Sequence, residues 1–224
     1  GYDAAFLSVG AEESRRIPVP GNDKEGVLWG IEFLKAVNHL EKVPLGKKVV
    51  VIGGGNVAMD VARSARRLGA EVDITCLESR EEMPASEWEI EEAVEEGCTL
   101  YPSTGPVEIV GDPKVTGIKM QACTRVFDDD GRFAPEFDEK QITDLECDHV
   151  IFAIGQQSNM GVLKDSGAEP DKRGLLGADP ETLQTDVDWI FAGGDAQGGA
   201  ASAVEAIRLG AFDYIQKPFT LADL

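Results

Sequence analysis

The sequence predicts an α/β fold: a parallel β-sheet with helices on both faces, together with an antiparallel β-meander. Three observations lead to this prediction. Residues 49–52 form a continuous apolar run, typical of a strand buried on both faces of a parallel sheet. A glycine-rich turn and a helical pattern follow this run directly. After Cys98 the helical period disappears, and strand-like runs alternate with turns and polar loops.

The amino-terminal half supplies the elements of the parallel sheet. Residues 3–9 predict a short strand, and a connection rich in proline and glycine follows it. Residues 28–40 carry apolar side chains at helical spacing and predict a helix. Beyond the glycine-rich turn, residues 71–77 predict the next strand. Residues 86–97 predict a helix that starts with serine and glutamate at capping-box spacing.

The carboxy-terminal half supplies the meander. Residues 106–110 and 117–127 are strand-like, and residues 128–139 predict a polar loop between strands. Residues 140–155 are also strand-like and predict a return to one last buried strand, residues 150–154. A polar stretch follows, and "DWIFAGGDA" then precedes a final helix-like segment.

Composition limits the classes of partner. The 224 residues carry a formal net charge of −20 at pH 7, which repels phosphate backbones, so no nucleic-acid partner is expected. No apolar run reaches the roughly 18–20 residues that span a bilayer, so we expect no membrane span. The four cysteines form no C-x-x-C motif. We therefore expect no metal site and a reducing, cytoplasmic compartment.

The segment "GGGNVA" directly follows the buried strand and fits the pattern G-x-G-x-x-A. The first glycine allows a tight turn, the second lets the backbone approach a diphosphate, and the small last residue lets helix and strand pack closely. The start of the helix then presents free N–H groups to the diphosphate. This context predicts a Rossmann-like dinucleotide site. The residues expected at the diphosphate are Gly53, Gly54, Gly55, Asn56, Val57 and Ala58.

Two further segments end at the same edge of the predicted sheet. Glu78 lies about 20 residues beyond the glycine-rich turn, where an acid meets the adenosine ribose in this motif. The last buried strand ends where the nicotinamide is expected to pass. The candidate residues at these two strand ends are Glu78, Ser79, Arg80, Ala153, Ile154 and Gly155.

The motifs "GGGNVAMD" and "SREEMPA" resemble those of glutamate synthase small subunit-like flavoproteins, which are of the pyridine nucleotide-disulfide oxidoreductase type. The resemblance spans roughly residues 1–210. It includes "GYDAAFLSVGA" and "VIFAIGQQSN", which resemble the two crossings between the FAD domain and the nucleotide domain. It also includes "DWIFAGGDAQGGAASAVEAI", which resembles the late FAD motif of the family.

The resemblance implies a two-dinucleotide-binding flavoprotein fold with three segments. Residues 1–26 would be an FAD-domain remnant and linker, residues 27–156 the NAD-binding domain, and residues 157–224 a connection and a second FAD-domain remnant. Gly194 and Asp195 would contact FAD, with Asp195 at the ribityl chain.

The family also bears on Asp60. In related flavoproteins an acid at this position lies near the nicotinamide carboxamide. The alternative for Asp60 is a solvated helix acid.

The resemblance further implies a parent protein longer than this chain. In the family, a second G-x-G-x-x-G motif and iron–sulfur cysteines lie upstream, and this chain contains neither. We therefore expect FAD in the intact parent protein and weak or absent FAD binding by this chain alone.

The ribose end of the site predicts the choice of cofactor. NADP-using members of the family typically have "YRRSREEMPA", in which two arginines clamp the 2′-phosphate. Here Leu77 and Glu78 replace those arginines, and a carboxylate repels a 2′-phosphate. The sequence therefore predicts NAD(H) in preference to NADP(H). Arg80 could swing toward a phosphate, or it could pair with Glu81 or Glu82.

The predicted function follows from the resemblance. The chain would be the NAD(H)-binding domain of a FAD-dependent oxidoreductase, which passes hydride between nicotinamide and flavin and then electrons to an iron–sulfur or reductase partner. No catalytic residue is assigned, since the cofactors carry the chemistry. The alternative is a non-catalytic nucleotide-binding or interaction module. Residues 203–224 also resemble the end of a response-regulator receiver domain, with Lys217 at the phosphate-sensing position, which we interpret as an accidental match or a fused remnant.

Overall fold

A computed structural model describes residues 3–197 of the chain. Two short 3₁₀ turns, Met160–Leu163 and Gly194–Ala196, accompany the regular elements. In chain order, the strands and helices are β1 (Ala5–Leu7), β2 (Glu13–Ser14), β3 (Val27–Trp29), α1 (Gly30–Asn38), β4 (Lys48–Ile52), α2 (Asn56–Arg67), β5 (Glu71–Thr75), α3 (Glu87–Glu95), β6 (Thr99–Tyr101), β7 (Thr104–Val110), β8 (Gly117–Phe127), β9 (Phe133–Glu146), β10 (His149–Phe152), β11 (Gln156–Gln157) and β12 (Ile190–Ala192).

The chain divides into two compact units. Residues 14–155 form the central unit, which contains the glycine-rich turn. The described residues on either side, 3–13 and 156–197, form the flanking unit. None of the helices formed by the described residues is long and apolar enough to cross a membrane.

A five-stranded parallel sheet forms the centre of the central unit. Its strand order is β3-β10-β4-β5-β6, so β4 has a neighbour from a distant part of the chain on one side. Val51 pairs with Ile151 on that side and with Ile74 on the other. The three-stranded antiparallel sheet β7-β8-β9 is the meander. The predicted α/β class, with a parallel sheet and an antiparallel meander, is confirmed.

The two faces of the parallel sheet bury different partners. Val49 and Val51 of β4 belong to a core cluster shared with α1, α2 and α3. Val50 and Ile52 belong to a second cluster shared with apolar side chains of β7 and β8. In this unit the three helices therefore cover one face and the meander covers the other, whereas the sequence predicted helices on both faces. This explains why β4 is apolar at every position from 49 to 52.

Three strands differ from the prediction. Residues 27–29 form β3 because they pair with β10, with Leu28 opposite Ile151, and only then does α1 begin. β6 adds an edge strand beside β5, with Leu100 opposite Ile74. β9 begins at Phe133, inside the stretch expected to be a polar loop, because it pairs with β8 over most of its length.

Ion pairs join α2 to α3. Arg63 contacts Glu92 at 2.6 Å and Glu96 at 2.8 Å, and Arg67 also contacts Glu96 at 2.6 Å. Ser86 is the residue before α3, but its side chain does not form the predicted cap. The exposed members of this network contribute little to stability individually. Packing of the buried face therefore holds α3 in place.

The flanking unit has a small sheet and a core of its own. β1 pairs in parallel with β12, with Phe6 opposite Phe191. Its buried cluster includes Leu163, Leu176 and Ile190. The final helix-like segment and the receiver-like residues 203–224, including Lys217, lie outside the described residues.

Substitutions in α3 test the packing of this helix. Ile90 is 1% exposed in the helix-facing core, whereas Val94 of the same helix is 47% exposed. We expect Ile90→Ala to lower the free energy of unfolding by about 2–5 kcal/mol. The matched control Val94→Ala should change it by less than about 0.5 kcal/mol. Urea denaturation followed by circular dichroism measures both values, and equal losses would contradict this packing.

Candidate functional site

The turn between β4 and α2 requires a glycine at its first position. Gly53 has a φ of +146°, and its N–H donates to the Thr75 carbonyl at 2.8 Å. A Cβ on Gly53 would stand 2.2 Å from the Ala153 carbonyl oxygen, so no side chain fits there. The close contacts of Gly53 with Thr75 and Ala153 place the turn at the carboxyl ends of β4, β5 and β10, where α/β proteins bind ligands.

The other two glycines have different surroundings. A Cβ on Gly54 would stand 3.0 Å from Glu78 Oε2, whereas a Cβ on Gly55 would meet nothing within 4 Å. Gly55 is the residue before α2, no side chain caps this helix, and no acid lies in its first turn. The first N–H groups of a helix lack partners within the helix and carry partial positive charge. The start of α2 therefore faces open space and suits an anion.

The first turn of α2 packs tightly against β4. Ala58 is fully buried, and its Cβ lies 3.2 Å from the position of a Cβ on Gly53. Asn56 is exposed and Val57 is half-buried, so the backbone at these positions borders the open side of the turn. The small residue at position 58 allows the close packing of helix and strand that the motif requires.

The segment after β5 folds back onto the glycine-rich turn. The Ala85 N–H donates to the Gly54 carbonyl at 3.1 Å. The Ser86 N–H donates to Asn56 Oδ1 at 2.8 Å. The Asn56 side chain therefore fixes the loop of residues 77–86 against the turn. Sequence reasoning assigned only the backbone of Asn56 to the site, because its side-chain partner lies 30 residues away.

Arg80 has a different partner from the one predicted. Its guanidinium donates two hydrogen bonds to the Glu87 carboxylate, and the bond from Nη1 is 3.1 Å long. The pair lowers the pKa of Glu87 and raises that of Arg80. The alternatives from the sequence were Glu81 and Glu82. Arg80 is thus directed toward the first turn of α3.

The end of β10 borders the same crevice. The Ala153 N–H donates to the Ile52 carbonyl at 2.8 Å, which ties the end of β10 to the end of β4. Gly155 has a φ of +114°, a Cβ on it would meet nothing within 4 Å, and its carbonyl accepts from the Arg15 N–H at 3.0 Å. Residues 153–155 therefore leave backbone beside open space.

Asp60 lies on the exposed face of α2. Burial raises the pKa of Glu89, and the nearby Asp60 carboxylate raises it further. The structure thus brings Asp60 toward an acid of α3. In the flanking unit, the Ala11 N–H donates to Asp195 Oδ2 at 3.2 Å. Gly194 has a φ of +65°, and a Cβ on it would stand 3.1 Å from Ser8 Oγ.

The buried cysteines do not supply a nucleophile. Burial raises the pKa of Cys76 and of Cys147 to about 12, and that of Cys98 to about 11. These groups remain thiols at neutral pH, and the thiolate is the reactive form. Within residues 3–197, no group of three or more His, Cys, Asp or Glu side chains is arranged to hold a metal ion.

A cavity of about 200 Å³ lies between the segment after β5 and the meander. The sequence did not predict it, because its two walls come from segments that are far apart in the chain. Its lining residues are Leu77, Ser79, Glu82, Ser103, Cys123, Thr124, Arg125, Val126 and Phe127.

The sequence pattern of the family described as pyridine nucleotide-disulphide oxidoreductase matches residues 1–210. The chain belongs to this family. Such membership accounts for the glycine-rich turn at the edge of a parallel sheet. It also confirms the resemblance that the sequence motifs indicated.

Two proteins that are similar to this chain in sequence are considerably longer than it is. The NADP(+)-dependent formate dehydrogenase subunit beta of Moorella thermoacetica is 41% identical over 218 residues, which cover 93% of this chain and 30% of that protein. The glutamate synthase [NADPH] small chain of Halomonas elongata is 37% identical over 224 residues, which cover 92% of this chain and 47% of that protein. The chain therefore spans less than half the length of these relatives.

A solved structure shares the fold. FprA of Mycobacterium tuberculosis, in complex with NADPH, superposes with a TM-score of 0.74 at 20% sequence identity. The match covers 91% of this chain and 61% of FprA. At this level of identity the comparison supports the two-dinucleotide-binding type of fold.

The predicted preference for NAD(H) over NADP(H) is wrong. Both relatives are named for NADP(+) or NADPH, and the FprA structure contains NADPH. The prediction depended on Leu77 and Glu78, with Arg80 as the one cation that could bind a phosphate. In the structure, Leu77 Cδ2 lies only 2.8 Å from the position of a Cβ on Gly105, so this side chain packs toward the meander. Arg125, on the opposite wall of the cavity, was not considered. The space beside the end of β5 is therefore lined by residues of the meander as well as by those that follow the strand.

Alanine at two glycines tests the geometry of the turn. We expect Gly53→Ala to lower the free energy of unfolding by at least about 2 kcal/mol, because of the clash with Ala153 and the positive φ. Gly55→Ala should cost less than about 1 kcal/mol, since its Cβ enters open space. Thermal and urea unfolding measure both, and a reversed order would refute the geometry.

Proposed function

We propose that this chain is the NADP(H)-binding part of a FAD-dependent oxidoreductase, in which hydride passes between nicotinamide and flavin and electrons pass onward to a partner. One observation carries the proposal: the glycine-rich turn lies at the crevice of the parallel sheet, and the uncapped start of α2 faces open space beside Gly55. An anionic diphosphate matches both the shape and the partial charge of this position.

Different residues around the crevice would bind different parts of the dinucleotide. The N–H groups of Asn56 and Val57 would bind the diphosphate, and Glu78 would accept from the 3′-hydroxyl of the adenosine ribose beside Gly54. Backbone of residues 153–155 would border the nicotinamide. When bound, the nicotinamide supplies a hydride donor or acceptor at its C4 atom. The residues of the chain bind and orient it, and no acid or base is required of them.

The flanking unit would hold part of the flavin. Asp195 presents a carboxylate that the Ala11 N–H already orients, and Gly194 brings backbone close by. We propose that residues 1–26 and 157–224 belong to an FAD-binding domain and residues 27–156 to the nucleotide-binding domain. The boundary between the two compact units after residue 155 supports the second division, whereas residues 14–26 pack within the central unit. Asp60 would lie at the nicotinamide end of the site.

The electron-accepting partner would be an iron–sulfur or reductase subunit. The names of two relatives support this, since one is a subunit of a formate dehydrogenase and the other the small chain of a glutamate synthase.

Nucleotide binding tests the proposal directly. We expect NADPH to bind the full chain, and Gly55→Ala to weaken binding by at least about tenfold, because its Cβ enters the space of the diphosphate. Gly177→Ala is the matched control, since its Cβ also meets nothing within 4 Å but it lies in the flanking unit. Isothermal titration calorimetry measures both. Undiminished binding by Gly55→Ala would refute the site.

Electron transfer separates an enzyme from a non-catalytic nucleotide-binding module. With the FAD-binding segment of its parent protein attached, we expect the chain to oxidise NADPH in the presence of ferricyanide as acceptor. Gly55→Ala in the same protein should raise KM for NADPH by at least about tenfold. Tight NADPH binding without any oxidation by the FAD-loaded protein would favour the non-catalytic module.

A further inference from the structure

NADP(H) differs from NAD(H) by a phosphate on the adenosine ribose, which carries close to two negative charges at neutral pH. A protein that binds this phosphate must offer it a cation or several N–H and O–H donors. The end of β5 offers no cation of its own, because Cys76, Leu77 and Glu78 directly follow the strand. The cation that contacts the phosphate must therefore come from another part of the chain.

The cavity beside β5 is placed to receive it. One wall consists of Leu77, Ser79 and Glu82, which directly follow the strand end at which the ribose is expected. The other wall is the segment 123–127 of β8. The two walls are joined by backbone hydrogen bonds, since the Cys123 N–H donates to the Ser103 carbonyl at 2.8 Å and the Ser103 N–H donates to the Glu78 carbonyl at 2.8 Å.

On this wall, Ser79 already donates hydrogen bonds to a carboxylate of the protein itself, that of Glu82. Its N–H donates to Glu82 Oε2 at 3.3 Å, and its Oγ–H donates to the same oxygen at 2.8 Å. Glu82 itself is exposed, so its carboxylate can turn into solvent without leaving a buried charge. Two donors that converge on one carboxylate oxygen can equally donate to a phosphate oxygen.

Arg125 supplies the positive charge. It is the one Lys or Arg among the residues that line the cavity. Its Nη2 contacts Asp129 Oδ1 at 2.8 Å, its Nη1 lies 3.9 Å from Glu136 Oε1, and its Nε donates to the Phe127 carbonyl. The Arg125 side chain is 35% exposed, and those of Asp129 and Glu136 are 99% and 66% exposed. An exposed ion pair of this kind is weak, so a dianionic phosphate can displace Asp129. A planar guanidinium also suits bidentate binding of phosphate.

We propose that Arg125 and the donors of Ser79 bind the 2′-phosphate of NADP(H) in this cavity, and that Glu82 occupies the Ser79 donors until the phosphate replaces it. The proposal rests on the proposed function. Arg80 is the rival cation, and its pair with Glu87 of α3 is also exposed, but Arg80 does not line the cavity. The meander thus takes part in the choice of cofactor.

Paired titrations with NADPH and NADH test this assignment on the full chain. We expect Arg125→Gln to weaken NADPH binding by about tenfold and to change NADH binding by less than about twofold. Glu82→Gln should tighten NADPH binding and leave NADH binding unchanged, because a competing negative charge is removed. Lys119→Gln is the matched control: it removes a cation from the same strand, where Lys119 pairs with Glu108, and should change neither affinity.

The outcomes separate this proposal from the one on which it rests. Equal losses of NADPH and NADH binding in Arg125→Gln would show a structural role and overturn the assignment, and Arg125→Lys with circular dichroism checks the fold. A selective loss in Arg80→Gln, with Arg125→Gln unaffected, would overturn it in favour of Arg80. If neither nucleotide binds the unaltered chain, the proposed function fails. If NADPH binding depends on Gly55 but not on Arg125, only the present inference fails.

Discussion

The approach of Gly53 to the Ala153 carbonyl is the contact on which the rest of the site depends. β4 and β10 pair in register from His149 opposite Val49 to Phe152 opposite Ile52, so both strands end at the same level. The turn can follow at once only because no side chain stands between them. The start of α2, the loop of residues 77–86 and residues 153–155 are thereby brought to one edge of the sheet. Because β4 is buried on both faces, it cannot shift to relieve a bulkier residue.

The sequence alone predicted those elements that are determined by residue patterns within the element itself. β4 and α2 have strong periodicity and a glycine-rich turn between them, and both were predicted. β3 and β6 are three residues long, and they become strands only because β10 and β5 offer neighbours with which to pair. β9 is mostly exposed along its length, so it lacks the alternation that marks a half-buried strand.

The same difference between local signals and contacts created by the fold applies to the candidate site. The diphosphate residues are consecutive, so one motif indicated all of them. The Asn56 side chain and the Arg125 wall could not be inferred, because the partner of the first and the cavity of the second are created by the fold. The cofactor preference failed for this reason: it treated the charge at the end of β5 as a property of two residues, although the space beyond that strand has a second wall.

The hydrogen bond between Asn56 and Ser86 has a consequence for the energetics of binding. It makes the turn and the loop a single rigid piece, although they would contact different parts of the dinucleotide. A site of this kind is ordered before its ligand arrives, so little conformational entropy is lost on association. Affinity can then come from few contacts. Amide-to-apolar changes at position 56 would keep the backbone N–H that we propose for the diphosphate, and would nevertheless raise the entropic cost of binding.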